Sequence, residues 1–263
     1  MNKVNIALIT GCLFLMTACG EELMSYDVSG DTPIVESYLQ EGANTLSVRL
    51  YSMEVYLKDG YELSQPIGDL QLNINGKALT ETVAGTYSLN LGDDTIRGLQ
   101  KYDLSFEYLG KTIQALTIVP KPVDNLNIEP AYITRESSYY YYWDTADTTE
   151  IKLTWDDPDH SYYQIYIESP ASADMPSPDG GMTFRRRMMQ PFQGNSYTTT
   201  SREFMSAGYY SIYVYRVNRE YADIYEQVSS TDLSNPSSAI ENAFGIFTAM
   251  SVAKTRFRVI ETE

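Results

Sequence analysis

The 263-residue chain contains only two cysteines and one histidine, and both scarcities exclude chemistry. Cys12 lies inside an apolar leader and Cys19 just behind it, so the rest of the chain holds no thiol pair for a disulfide. A zinc site built from His and Cys needs several such ligands, which His160 alone cannot supply; no metal or other cofactor is expected. A Ser-His-Asp enzyme would need His160 as its base. No G-x-S-x-G elbow accompanies it, and it sits in a turn, Asp157-Pro158-Asp159-His160, so no catalytic residue is assigned and the chain is not expected to be an enzyme. Positive charge is scarce too, with 19 Lys and Arg against 35 Asp and Glu and a net charge of −16. That balance repels nucleic acid and anionic headgroups and excludes nucleic acid as a partner. No apolar run approaches the ~20 residues of a membrane-spanning helix.

What is present begins with the leader. Lys3 supplies a positive charge, Ile6 to Met16 form an apolar stretch interrupted by Thr10 and Gly11, and Leu15-Met16-Thr17-Ala18 leads into Cys19. Small residues before a thiol suit cleavage and acylation of that cysteine, so residues 1–18 read as a lipoprotein signal peptide. Residues 19–30 are then an acylated linker, with the membrane as partner through Cys19. An ordinary secretory signal is the alternative. Losing Lys3 with the leader moves the net charge to −17. Glu21 and Glu22 resemble the acidic export signal behind the acylated cysteine of Bacteroidota surface lipoproteins. That likeness implies an outer-membrane location facing the cell exterior; a solvated linker is the plainer alternative.

The body of the chain is patterned for strands. Leu46, Val48 and Leu50 alternate with polar neighbours, as do Leu70, Leu72 and Ile74 before the turn pair Asn75-Gly76. Tyr87 to Leu91, Tyr102 to Tyr108 and Ile113 to Val119 repeat the pattern, predicting an Ig-like antiparallel β-sandwich over residues 31–120. Val119-Pro120-Lys121-Pro122 withholds two backbone donors and marks a hinge. Residues 121–263 restart the alternation. Ile151, Leu153 and Trp155, the turn at Pro158, then Tyr163, Ile165 and Ile167 resemble two strands of a fibronectin type III-like domain. Gly208 to Tyr215 resembles its penultimate strand, and Thr255 to Ile260 a last one. Tyr221, Ile224, Tyr225 and Val228 recur at helical spacing and predict a helix over 218–230. Residues 169–195, rich in Pro, Ser, Asp and Gly, form a long insertion that also has room for a strand pair. The fold class is therefore all-β, two tandem antiparallel β-sandwiches (Ig-like and fibronectin type III-like) with a short helix in the second.

Pro33-Ile34-Val35-Glu36-Ser37-Tyr38-Leu39, Val48-Arg49-Leu50, the Trp155 strand, the tyrosine-bearing helix and Asn242-Ala243-Phe244-Gly245-Ile246-Phe247-Thr248-Ala249 occur in an order that resembles a Bacteroidota lipoprotein family, domain of unknown function 4249. Ala243 stands where that family usually has its first glycine. The resemblance implies an accessory role in surface capture or uptake. Its implied partner is a TonB-dependent outer-membrane transporter, or a surface glycan or protein.

Three further features are candidates for function. Tyr139-Tyr140-Tyr141-Tyr142-Trp143 would, on a strand, present rings on both faces, forming a candidate binding surface or an edge packed between the domains. Asp94-Thr95-Ile96, Asp144-Thr145-Ala146 and Asp147-Thr148-Thr149 resemble O-glycosylation acceptors of exported Bacteroidota proteins, which would place glycans on Thr95, Thr145 and Thr148. Asp93-Asp94 and Asp156-Asp157-Asp159 are loop carboxylates that would suit calcium but lack a calcium-loop spacing, so turn capping is the simpler role. Arg185-Arg186-Arg187 is the basic cluster, suited to neutralising nearby aspartates or to a charged ligand. A binding or accessory lipoprotein is the favoured class, a fimbrial or surface-assembly subunit the alternative, and a hydrolase the remaining one.

Overall fold

Period-two burial runs through nearly every long strand, because each lies in a sheet with one face on a core and one toward solvent. The computed structural model describes residues 32–52, 65–136, 148–170, 186–204, 206–229 and 240–262. The first strands are β1 (Pro33–Gln40), β2 (Thr45–Ser52), β3 (Gln65–Pro66), β4 (Asn73–Ile74), β5 (Lys77–Ala78), β6 (Thr80–Val83), β7 (Thr86–Asn90), β8 (Lys101–Tyr108) and β9 (Lys111–Ile118). Then come β10 (Asn127–Glu129), β11 (Tyr132–Glu136), β12 (Glu150–Thr154), β13 (Tyr162–Glu168), β14 (Arg186–Met188), β15 (Phe192–Gln193), β16 (Ser196–Thr200) and β17 (Gly208–Val217). The chain continues through the helix α1 (Arg219–Ser229), β18 (Ile240–Glu241) and β19 (Phe244–Thr262).

These elements make an all-β fold of two tandem sandwiches and one short helix. In the first, β6, β7, β2 and β1 with the start of β19 face a sheet ordered β18-β9-β8-β4-β5. Val35, Leu50, Tyr87, Leu104, Ile113 and Phe247 fill the space between. In the second, β14, β13, β17 and the rest of β19 face a sheet ordered β10-β12-β16. Trp155 lies in that core 5.0 Å from the Tyr163 ring, with Phe204 and Phe257 4.5 Å apart beside it.

One strand joins the two. β19 is 19 residues long and pairs with β1 over Phe244 to Met250, then with β17 over Met250 to Val259. Phe247 and Ala249 enter the first core; Phe257 and Val259, on the same face, enter the second. The sequence reading places a last strand at Thr255 to Ile260 and ends the first sandwich at residue 120. In the structure Ile240, Ala243, Phe247 and Ala249 belong to the first core, so that sandwich is completed from the far end of the chain. The β1–β19 and β11–β19 pairings are parallel, within otherwise antiparallel sheets, because β19 arrives by a long crossover instead of a hairpin.

The proline hinge is clamped on several sides. Val119 is fully buried, Ser251 Oγ donates to the Lys121 carbonyl at 2.7 Å, and Lys121 Nζ pairs with Asp159 at 3.0 Å. α1 straddles the junction from the outer side. Asn218, just before it, donates through Nδ2 to Thr117 Oγ1 and the Ile118 carbonyl, both at 3.0 Å. Tyr221 donates to Gln164 Oε1 at 2.8 Å and meets the Tyr38 ring edge-on at 6.1 Å. The end of the 169–195 insertion supplies β14 and β15. Both pair with β13, so the strands of this excursion extend the main sheet.

Candidate functional site

The face of the large sheet turned away from the second core carries an ordered set of tyrosines and cations. On β13, Tyr163, Ile165 and Ile167 point into the core, which sends Tyr166 and Glu168 to the outer side, while Tyr162 and Gln164 on that same side are packed against α1. On β17, Tyr210, Ile212 and Val214 are core residues, so Tyr209, Ser211, Tyr213 and Tyr215 face out. On β19, Phe257 and Val259 point inward and Lys254, Arg256 and Arg258 are exposed.

Register sets these side chains in rows. Tyr209 lies opposite Arg258, and Tyr132 of β11 flanks the same arginine from the other side. Glu168, Ser211 and Arg256 make the next row, and Met188, Tyr166, Tyr213 and Lys254 the one after. Tyr132 and Tyr209 are both more than half exposed, at 56% and 57%. The Tyr166 and Tyr213 rings are 5.5 Å apart, and Tyr213 stacks on Tyr215 at 6.3 Å and 18°.

The cations are held by the rings more than by acids. The Arg258 guanidinium sits 5.2 Å from the Tyr209 centroid, and Lys254 Nζ lies 4.8 Å from the Tyr213 centroid while donating to its hydroxyl at 2.9 Å. Such contacts are worth about 0.5–1 kcal/mol at exposed sites, enough to orient a cation while leaving most of its donors open. Among the described residues neither Lys254, Arg256 nor Arg258 forms a salt bridge. The acid on this face, Glu168, accepts from the Tyr213 hydroxyl at 3.3 Å. Tyr215 has its phenol pKa raised, first by burial and then by the neighbouring Tyr213 and Tyr166. The array is thus an aromatic surface, with Glu168 at its border, crossed by a line of positive charge on a chain whose net charge is −16.

The sites expected from sequence are distributed differently. Cys19, Glu21, Glu22, the Tyr139-Tyr140-Tyr141-Tyr142-Trp143 run and Thr145 lie outside the described residues. Thr95 is half-buried in the loop before β8, its N–H donating to Asp94 Oδ1 at 2.9 Å; Thr148 is exposed just ahead of β12. His160 is an exposed turn residue in the left-handed region, with φ 51°. The aspartates of its turn are engaged by protein groups. Asp156 accepts from Asn125 Nδ2, Asp157 from the Ser161 N–H and the Tyr163 hydroxyl, and Asp159 from Lys121 and Arg216. Asp94 is likewise bound to the Thr95 N–H and Arg97, which lower its pKa. Among the described residues no group of three His, Cys, Asp or Glu is placed to hold a metal. In the basic cluster, Arg187 pairs with Glu203, and Arg186 lies opposite Glu168 across β13 and β14.

The outward tyrosines were visible as alternation in Tyr162 to Glu168 and Gly208 to Val217, and Lys254, Arg256 and Arg258 as every second residue. Nothing local indicates that the two sets meet, because that needs the β17–β19 pairing, across about 40 residues of chain.

No family model matches the chain, and no curated protein matches it. Among solved structures, it is similar to the two-domain fragment DIP-gamma IG1+IG2, at 8% identity over 89% of this chain and 99% of the other, with a TM-score of 0.22. Titin domains A168-A170 match at 10% identity over 87% of this chain and 66% of the titin fragment, with a TM-score of 0.24. Domains 4 and 5 of the S-layer protein SbsC match at 13% identity over 82% of each chain, with a TM-score of 0.20. The cores and sheets described above define the fold independently of these likenesses. No described helix is long and apolar enough to cross a membrane.

Proposed function

We propose that this chain is an outer-membrane lipoprotein, tethered through acyl chains on Cys19 and facing the cell exterior, that acts as a non-enzymatic binding or accessory protein. The observation that carries the binding role is the open face of tyrosines with Lys254, Arg256 and Arg258. Exposed planar rings gain by being covered, and cations with donors left open gain by meeting a surface of opposite charge. The leader ending at Cys19, with Glu21 and Glu22 behind it, supports the location. The resemblance to the domain of unknown function 4249 family supports a partnership with a TonB-dependent transporter. Thr95, Thr145 and Thr148 are proposed acceptors of O-linked glycans, an assignment excluded by an intact mass showing acyl chains and no hexose.

Fractionation and co-purification from the native cells test this reading. Cys19→Ser is expected to abolish palmitate labelling and to release the protein from the membrane fraction. Detergent extraction of the acylated protein is expected to bring down a transporter in stoichiometric amount. A membrane-bound, unlabelled Cys19→Ser protein would overturn the anchor, and a self-polymer ladder in place of a partner would make the chain a surface-assembly subunit.

A further inference from the structure

We infer that the outer face of β17 and β19 binds a linear polysaccharide bearing carboxylates or sulfates, an inference that rests on the binding role proposed above. The first ground is charge. Lys254, Arg256 and Arg258 occupy alternate positions of one strand, so their side chains leave the sheet on one side about 7 Å apart, a line of three like charges. Three cations in file repel one another in the free protein, and among the described residues none forms a salt bridge. A polymer carrying anions at regular intervals relieves that repulsion along the whole line.

The second ground is the rings. Tyr209 and Tyr132 flank Arg258 and Tyr213 lies beside Lys254, all on neighbouring strands, so flat apolar surface borders the line of positive charge. A pyranose presents a C–H face that stacks on such a ring while its carboxylate or sulfate reaches the adjacent cation. Ser211, opposite Arg256, adds a hydroxyl between the rings.

The third ground separates a glycan from an acidic polypeptide. An extended peptide gains affinity by adding a strand to an open sheet edge. β17 is hydrogen-bonded on both sides, to β13 and β19, so that mode is closed here and a ligand must lie across the face. A chain binding by its side groups alone fits that geometry.

The test uses the chain from residue 20 onward, in affinity electrophoresis through gels containing polygalacturonate, dextran sulfate, neutral dextran or polyglutamate. Retardation by polygalacturonate or dextran sulfate is expected, with the stronger of the two naming the carboxylate or the sulfate as the anion. Arg256→Gln with Arg258→Gln is expected to weaken binding about tenfold, as loss of charge-assisted contacts should. Tyr209→Ala should weaken it at unchanged salt dependence, a result that pure charge attraction would not give. A circular dichroism spectrum matching the parent's shows that each variant is folded. Retardation by polyglutamate equal to that by both glycans would overturn the inference in favour of an acidic protein. So would binding unaffected by the Arg pair, or no retardation by either polyanion. Those results leave the membrane and transporter reading to its own co-purification test.

Discussion

Arg216 and Asp159 form the ion pair, among the described residues, in which one partner is buried. The guanidinium side chain is only 6% exposed and donates to Asp159 Oδ2 at 3.0 Å. Two further contacts of 2.6 and 2.9 Å run from Arg216 to Ser161 Oγ, and the same Asp159 oxygen takes Lys121 from the hinge. A single carboxylate therefore connects the linker between the sandwiches to the base of β17.

Asp159 should make stability depend on acid in a particular window. Its pKa is lowered, first by the hydrogen bond from Lys121 and then by the charges of Lys121 and Arg216. A depressed folded-state value means that its contribution is present above the ordinary carboxylate pKa of about 4 and is lost as pH falls through the lower folded value. Thermal unfolding of the parent and Asp159→Asn should therefore differ at neutral pH, and the two midpoints should converge as pH falls through the lowered folded-state value. A constant gap between them would show that the carboxylate acts through shape and not charge.

Gly245→Ala should be severely destabilising. Gly245 has φ 100°, and a Cβ there would lie 2.0 Å from the Val35 carbonyl oxygen, in the middle of the β1–β19 ladder. Neither strand can retreat without breaking hydrogen bonds to its neighbours, so a cost of at least ~3 kcal/mol is expected. Denaturant titration measures it; the Gly42→Ala variant, whose Cβ would meet nothing within 4 Å, controls for positive φ alone.

The two sandwiches should unfold together. Phe257→Ala removes a fully buried ring from the second core and should cost about 3–5 kcal/mol. Because Phe257 and Phe247 stand on one strand, the loss should also reduce amide-exchange protection in β1, whose buried apolar residues Val35 and Leu39 belong to the first core. Unchanged protection in β1 would mean that β19 transmits no stability past Met250.

Alkali should unfold the protein in a manner visible in its own phenols. Burial raises the pKa values of Tyr163, Tyr221, Tyr102 and Tyr87. A raised folded value gives stability that is intact below the unfolded value of about 10 and declines as pH climbs from there toward the folded one. Tyrosinate absorbance from these four phenols should therefore appear only as circular dichroism is lost. A single smooth titration with ellipticity retained would contradict this.

Much of the fold was legible because alternation is local. The patterns at Leu46 to Leu50, Ile151 to Trp155 and Tyr163 to Ile167 all mark strands whose inward residues are core in the structure, and the Tyr221, Ile224, Tyr225 spacing marks α1. The partner of each strand was less legible. Phe244 to Thr262 contains two core patterns in one phase, and nothing in its alternation says that its halves serve different cores. The tyrosine and cation face proposed to bind is not legible in the sequence for the same reason. A run such as Tyr139 to Trp143 stands out in a list of residues, whereas Tyr209, Arg258 and Tyr132 become neighbours only once three strands from distant parts of the chain are aligned.

The position of β19 also fixes a timetable. However the chain is delivered from its N-terminus, β1 to β9 of the first sandwich arrive before Ile240, Phe247 and Ala249, so that core stays open along one side of β1 until more than a hundred further residues have followed. The first sandwich therefore cannot be completed ahead of the second, and the β1 edge is open to other strands until β19 takes its place. Both sandwiches are finished by the same final stretch of backbone, which acts as a late quality check: a chain truncated before residue 244 has neither half complete.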